Sequence, residues 1–288
     1  MTISAKIIAD SVSPNAVRLT TFELEYPRFI LAEVNTHRML SKNSASSRAI
    51  PVERANEMIE KNPSMPVHWG KAQSGMSADH ELEGDALIIA KKVWLDARDS
   101  AVYYSKQLAA LGLAKQLTNR ITEAWATMKS VVTGTEWANL LWLRNHDAAQ
   151  PEFHALVELM AKEFEQSEPT KLEVGEWHLP YVDYMMLDMP LEDRIKISAS
   201  CCAQVSYRRN DDSIQKAIAV YDRLVGMDRL HASPFEHQGT PIPQFYTNGE
   251  RWPAGVTHLD RNGQYWSGNF KGWIQLRKTL ENENHTEN

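Results

Sequence analysis

Residues 36–48 read THRMLSKNSASSR, and these side chains suit a binding site better than a core. Arg38 and Arg48 carry fixed positive charge, and His37 can change its charge near neutral pH. A planar guanidinium matches the geometry of a phosphate, and serine and asparagine turn the backbone so that its amides also point at an anion. The segment therefore predicts a site for a phosphorylated, planar ligand. The alternative is a helix C-terminus that runs into a serine-rich loop. Short hydrogen-bonding groups fill the middle of the segment: Ser41, Asn43, Ser44, Ser46 and Ser47.

The same segment resembles the signature of the flavin-dependent thymidylate synthases, Arg-His-Arg-x-x-Ser-x-Asn-x-x-Ser-x-Arg. Six of its seven specified positions agree, and the exception is Thr36, where the family has arginine. HASPFEH at residues 231–237 resembles a second element of the family, His-x-Ser/Thr-Pro-x-Glu-His. LRNHDAAQPEF at residues 143–153 resembles a third, Leu-Arg followed by Ala-Gln-x-Glu-Ile. Three separate matches make chance an unlikely explanation.

The order of these elements differs from that of the family, in which the Ser-Pro-x-Glu-His element precedes the His-Arg motif. ISASCCAQVSY at residues 197–207 resembles the opening of ordinary members, and GNFKGWIQLRK at residues 268–278 resembles the helix that leads into their His-Arg motif. The chain thus resembles a circularly rearranged member, of a sort associated with bacteriophages. Such rearrangement can preserve a fold because chain termini often lie close together.

Composition sets wide bounds on the function. The chain has 288 residues, of which 43% are hydrophobic and 24% charged, as in ordinary globular proteins. Its net charge of −6 argues against broad nucleic-acid binding, which needs a positive field. Neither a membrane-length apolar run nor a secretory signal is evident, so we expect a cytoplasmic protein, in the host cytoplasm if phage-encoded. The adjacent Cys201 and Cys202 lack disulfide or zinc-site spacing, so no metal is expected.

Hydrophobic patterns predict both strands and helices, with helices dominant. We expect a single α+β domain over residues 1–280, helix-rich around an antiparallel or mixed sheet, with a polar tail at 281–288. The predicted strands span residues 4–8 and 17–24. The predicted helices span residues 28–40, 81–111, 135–144, 151–165, 191–206 and 213–227, and residues 66–75 are predicted to form a loop.

The resemblance implies a reaction and its partners. A member of this family methylates dUMP to dTMP, with methylenetetrahydrofolate as carbon donor and FAD, reduced by NADPH, as hydride source. It needs no protein nucleophile, and it is a homotetramer whose active sites combine several subunits. Three alternatives stay open: methylation or hydroxymethylation of another nucleotide such as dCMP, a non-catalytic flavin- or nucleotide-binding homologue, and a nucleic-acid-binding module, which the acidic charge makes least favoured.

The resemblance also implies roles for individual residues. Those expected at the reacting atoms are Arg38, His154 and His231. Those expected to contact FAD are His37, Arg38, Asn43, Arg144, His146 and Ser233. Those expected to hold the nucleotide are Glu33, Ser44, Ser46, Arg48, Arg120 and His154. Arg120 could instead be an ordinary helix-end charge and His231 a solvent-facing residue, while Glu236 and His237 could orient their neighbours.

Three departures from the family bear on these roles. Thr36 removes a positive charge from the expected FAD site, and Arg277 is a candidate to supply it from elsewhere. Glu33 stands where members often have glutamine, and His154 where they have an arginine beside the uracil ring. Because unpaired hydrogen-bonding groups discriminate strongly between substrates, these two changes leave dUMP and dCMP open as the base.

Overall fold

The computed structural model describes residues 3–205, 214–227, 229–243 and 252–284. Its largest sheet has five strands in the order β3-β4-β2-β1-β5, in which only the β1–β5 pair is parallel. The strands are β1 (Ser4–Val12), β2 (Arg18–Pro27), β3 (Ser41–Ser44), β4 (Thr127–Gly134) and β5 (Thr170–Lys171). The predicted strands at 4–8 and 17–24 are confirmed as parts of β1 and β2, and with the helices below they confirm the α+β class.

Two helices cover one face of this sheet, α5 (Ala138–Arg144) and α6 (Pro151–Gln166). Pro151 occupies the first turn of α6, where its missing N–H costs nothing, and the Gln150 side chain caps the helix by accepting from the Phe153 amide at 2.8 Å. The buried residues of α6 recur three or four apart, which places them on one face. They join the core of β2 and β4: Phe22, Leu24, Tyr26, Val132, Trp137, Leu140, Phe153, Leu156, Val157 and Met160.

The predicted helix over residues 28–40 is wrong in its second half. A 3-10 turn (Arg28–Ile30) leads into α1, which spans only Leu31–Asn35. The Thr36 hydroxyl then donates to the Glu33 carbonyl oxygen at 2.6 Å, and the polar residues that follow form the edge strand β3. Residues 36–40 form turns instead of helix, because the Thr36 hydroxyl and short backbone bonds close the end of α1 before the chain enters β3.

The remaining predicted helices are confirmed, apart from two end residues, Ser206 and Ser213, which lie outside the described part of the chain. Residues 66–75 contain no helix or named strand, as predicted. No helix in the described residues is long and apolar enough to cross a membrane. The other α-helices are α2 (Val52–Lys61), α3 (Gly84–Ala110), α4 (Lys115–Thr118), α7 (Leu191–Ala203) and α8 (Ile214–Val225).

The C-terminal region contains short strands where the resemblance implied a helix at residues 268–278. Glycines at 268 and 272 have φ of +58° and +70°, which breaks any helix there, and the aromatic and β-branched residues between and after them pair as strands. The extent of one domain over 1–280 and of a tail over 281–288 stays a prediction, and residues 285–288 lie outside the described residues. The short strands of the C-terminal region are β6 (Gly239–Pro241), β7 (His258–Leu259), β8 (Tyr265–Ser267), β9 (Phe270–Lys271) and β10 (Trp273–Gln275).

Candidate functional site

Two residues expected to contact FAD, His37 and Arg144, are hydrogen bonded to each other. Arg144 ends α5, and its Nε donates to His37 Nε2 at 3.0 Å, while its Nη2 lies 3.5 Å from the Thr36 hydroxyl. Both side chains also contact Phe153: the guanidinium lies 5.3 Å from the ring centroid, and the imidazole meets the ring edge-on at 5.7 Å. An imidazole nitrogen that accepts from arginine is unprotonated, so this geometry requires His37 to be neutral.

The electrostatics agree with a neutral imidazole. Partial burial lowers the pKa of His37 below its usual value, and the positive charges of Arg144 and Lys42 lower it further. At pH 7 His37 therefore orients Arg144 without adding a charge of its own.

Lys42 is a cation of this site that the motif does not specify. Its ammonium donates to the carbonyl oxygen of His37 and lies 3.4 Å from that of Leu40. Burial lowers the pKa of Lys42 to about 8, so the side chain is still mostly protonated at pH 7. The sequence could have indicated Lys42, because it is the only lysine or arginine between Arg38 and Arg48.

Three cations in this region have no carboxylate partner among the described residues: Arg38, Lys42 and Arg144. Arg38 is exposed and makes no side-chain hydrogen bond with the described part of the chain. Grouped positive charge without a counter-ion attracts anions, and arginine and lysine donors suit phosphate oxygens. This group, which we call the cation cluster, has the character that the phosphate-site prediction required.

The opposite face of β3 contacts elements that are distant in sequence. Asn43, expected to contact FAD, donates from its side-chain amide to the carbonyl oxygen of Cys202 on α7. Ser41 donates to Asn269 Oδ1 at 3.1 Å, and Gln275 Nε2 lies 2.9 Å from the same oxygen. The 3-10 helix Ser233–Glu236, which lies within HASPFEH, packs against β3 from this side. The fold thus brings two of the three family-like elements together at one strand.

His237, the last residue of HASPFEH, begins a buried chain of hydrogen bonds that runs along β4 and β2 to His178. His237 Nδ1 bonds the Thr133 hydroxyl at 2.8 Å, and the Thr133 and Thr21 hydroxyls are 2.8 Å apart. Thr21 then bonds His178 Nε2 at 2.8 Å, and the other ring nitrogen of His178 bonds Ser11 at 2.9 Å. By contrast, His231 is exposed, and neither His231 nor Ser233 makes a side-chain hydrogen bond with the described residues.

Arg120, expected to hold the nucleotide phosphate, lies in a second charged group around Glu123. Its guanidinium is 3.1 Å from the Glu123 carboxylate, which also receives Arg28 at 3.0 Å and the Ser47 hydroxyl at 2.8 Å. Burial would raise the pKa of Glu123, but the hydrogen bonds from Ser47 and Arg28 and the arginine charges lower it on balance. Arg28, Ser47 and Glu123 line a cavity of about 280 Å³ next to α2.

Three other residues expected to bind the nucleotide, Arg48, Ser44 and Glu33, share no hydrogen-bond partner with one another among the described residues. Arg48 is exposed, and its amide lies 3.3 Å from the Ser46 hydroxyl. Ser44 hydrogen bonds Ser130 at 2.6 Å on the core side of β3. Glu33 has one carboxylate oxygen, Oε2, that is buried and has no partner among the described residues.

Three further residues of the sequence predictions have partners of their own in the described part of the chain. His154 lies 4.0 Å from Asp147, and His146 is exposed and accepts from a neighbouring amide; neither contacts the cation cluster in the described residues. Arg277 pairs with the carboxylates of Glu236 and Glu283, the second at 2.8 Å, so its charge is already balanced. Its role as a replacement for the arginine that is absent at position 36 stays a prediction.

Together, these elements define an α+β protein in which a group of cations without carboxylate partners among the described residues lies beside the edge strand β3 of a mixed sheet. Residues 10–170, more than half of the chain, match the model of a protein family described as thymidylate synthase complementing protein. The chain belongs to this family, which confirms the resemblance drawn from the motif. The matched residues include the His-Arg motif and residues 143–153, whereas residues 231–237 lie beyond them, so the circular rearrangement stays a prediction.

Solved structures similar to this chain include the UMP/dUMP methylase PolB from Streptomyces cacaoi. Its structure bound with 5-Br dUMP has 16% sequence identity and a TM-score of 0.48, over 57% of this chain and 90% of that chain. Its structure bound with 5-Br UMP has 15% identity and a TM-score of 0.46, over 57% and 89% of the two chains. No curated protein sequence matches the chain.

Proposed function

We propose that this protein is a flavin-dependent thymidylate synthase, which converts dUMP to dTMP with methylenetetrahydrofolate as carbon donor and NADPH as reductant of FAD. Membership of the family supports the class of reaction. The single structural observation that carries the proposal is the cation cluster, in which a neutral His37 orients Arg144.

The residues of this cluster fit FAD. A diphosphate needs several N–H donors that are not occupied by carboxylates, and Arg38, Lys42 and Arg144 meet that condition among the described residues. Phe153 and the imidazole of His37 add an aromatic surface next to the guanidinium. When bound, FAD supplies the hydride that completes the methyl group. The protein's part is to hold the partners close and correctly oriented.

The nucleotide would be held by the remaining motif residues. We assign the phosphate to Ser46, Arg48 and Arg120, whose arginine side chains are exposed and able to meet it. His154 and His231 remain the proposed residues near the base and flavin. Active sites shared between the subunits of a homotetramer are also part of the proposal.

A cysteine nucleophile is not part of the proposed reaction. Cys201 and Cys202 are both buried on α7, and the backbone carbonyl of Cys202 is taken by Asn43. The reductive, flavin-based route needs no covalent attachment of the nucleotide to the enzyme, which agrees with this burial.

Glu33 is compatible with dCMP as well as with dUMP as the substrate. Its buried Oε2 lacks a donor among the described residues, and an unsatisfied buried acceptor is costly unless a ligand supplies an N–H. The N3–H of uracil and the amino group of cytosine both supply one. The product from either base could be methylated or hydroxymethylated.

Anaerobic reduction distinguishes these possibilities. Purified protein is loaded with FAD, NADPH is added with dUMP, dCMP or neither, and bleaching of the flavin absorbance is followed. Products formed with methylenetetrahydrofolate are then identified by mass. Faster bleaching with dUMP and formation of dTMP would support the main proposal, and faster bleaching with dCMP would support the second candidate. A protein that neither binds FAD nor alters a nucleotide would contradict both and leave a non-catalytic homologue.

Glu33→Gln is the matched variant for the base. An amide offers both a donor and an acceptor at the same position, so it should shift preference toward dUMP if the carboxylate reads the cytosine amino group. An unchanged ratio of rates for the two nucleotides would remove Glu33 from base recognition.

A further inference from the structure

Lys42 contacts the turn that follows position 36, where this chain has threonine and the family motif has arginine. Thr36 uses its hydroxyl to donate to the Glu33 carbonyl and lies within 3.5 Å of Arg144. It therefore helps to orient a cation but carries no charge. Lys42 folds back onto the same turn, since its ammonium donates to the carbonyl oxygen of His37, the residue directly after Thr36.

The surroundings of Lys42 suit an anion better than a purely structural role. Its ammonium has three donors, and the carbonyl oxygens of His37 and Leu40 occupy two of them. Lys42 and Arg144 each contact His37, Lys42 at the carbonyl oxygen and Arg144 at the imidazole, and the charges of both lower the pKa of His37. Val132 is the register partner of Lys42 on β4. None of these groups is acidic. A half-buried ammonium without a carboxylate is destabilising in isolation, and a bound anion would offset that cost.

We propose that Lys42 replaces the motif arginine that is absent at position 36, and that its ammonium binds the FAD diphosphate together with Arg38 and Arg144. This inference rests on the proposed function, because it concerns the cofactor of that reaction. It assigns a specificity-determining role to a residue at a position that the family signature leaves open.

The proposal has a pH signature that a structural lysine lacks. Burial holds the pKa of Lys42 at about 8 in the free protein, and a bound diphosphate would raise it by adding negative charge. FAD binding above pH 8 must then be accompanied by proton uptake at Lys42. The affinity of the wild-type protein should therefore fall about tenfold between pH 7 and pH 9.

The test is a fluorescence titration of FAD and of riboflavin, which lacks phosphate, into four proteins. They are the wild type, Lys42→Met, Lys42→Arg and Lys6→Met. Lys6 is the matched control, because it is exposed on β1, three strands away from β3 in the same sheet. Loss of one charge-assisted contact should weaken FAD binding by about ten- to a hundredfold in Lys42→Met. Lys42→Arg should recover most of that loss, and Lys6→Met should bind as the wild type does.

Riboflavin and pH separate a phosphate contact from a distorted turn. If Lys42 binds the diphosphate, Lys42→Met binds riboflavin as the wild type does and loses the weakening of FAD binding between pH 7 and pH 9. Equal weakening for FAD and riboflavin, or wild-type affinity for FAD, would overturn the assignment while leaving the proposed function intact. A wild-type protein without affinity for FAD would overturn the proposed function and this inference together.

Discussion

Acidification should destabilise this protein through its two buried histidines, His178 and His237. His178 bonds the hydroxyls of Ser11 and Thr21 with its two ring nitrogens, and His237 bonds Thr133. Burial lowers the pKa of His178 to about 3, and it lowers the pKa of His237 to about 3 as well, with a smaller contribution from His178. Both rings are therefore neutral at pH 7, and protonation of either would place a charge in the interior.

The sign and size of the effect follow from linkage. An unfolded histidine titrates near pH 6.5, so below that pH the unfolded state binds more protons than the folded state. The free energy of unfolding must then decrease as the pH falls from about 6.5 toward 3. The limiting slope is about 1.4 kcal/mol per pH unit for each histidine. Between pH 7 and pH 5 each histidine should remove about 2 kcal/mol, and the pair about 4 kcal/mol.

Urea unfolding at pH 7, 6 and 5 tests this reasoning in the wild type, in His178→Gln and in His80→Gln. Glutamine keeps hydrogen-bonding groups at position 178 but does not titrate, so the loss between pH 7 and pH 5 should be smaller than in the wild type by about 2 kcal/mol. His80 is exposed, and its replacement should leave the pH dependence unchanged. Parallel curves for the wild type and His178→Gln would refute the assignment of acid sensitivity to this buried histidine.

Two further substitutions test the contacts around the site. Thr133→Val deprives His237 and Thr21 of a buried partner and should lower the free energy of unfolding by about 2–4 kcal/mol in urea titrations, whereas the exposed Thr170→Val should change it by less than about 0.5 kcal/mol. Arg277→Ala should cost about 1 kcal/mol in the same assay, because the partly exposed ion pairs with two carboxylates are lost. Its FAD affinity, measured by fluorescence titration, should stay within about twofold of the wild type, and a tenfold loss would identify Arg277 as a flavin ligand.

The elements that sequence predicted well are those whose own pattern is long and regular. In α6, proline, a capping glutamine and buried residues three or four apart all indicate the same helix. The strand β4 went unpredicted although it is an interior strand of the sheet, between β3 and β2. Its sequence, TMKSVVTG, has buried residues on both faces at its C-terminal end, so it lacks the alternation that identifies a half-buried strand.

The site could be predicted only as far as the motif specifies it. The spacing of the motif selected His37 and Arg38, and the third family-like stretch selected Arg144, which the structure brings to His37 across 107 residues. Lys42 was not predicted as a site residue, because the motif does not specify its position and an isolated lysine in a serine-rich segment forms no recognisable pattern. The proposed role of Lys42 in binding a diphosphate depends on its contact with the half-buried turn at His37, which the sequence does not reveal.

The strand conformation of residues 41–44 determines on which face of the sheet each side chain of the motif lies. A helix would have placed residues three or four apart on one face, whereas a strand sends neighbouring residues to opposite faces. In β3, Ser41 and Asn43 therefore contact α7 and the C-terminal strands, while Lys42 and Ser44 face the side of His37 and the main core. Pairing with β4 fixes this division, because a shift of one residue would exchange the two faces. The same short segment thus contacts α7 and Asn269 with one set of side chains, while Lys42 on the other face bonds His37, which also receives Arg144.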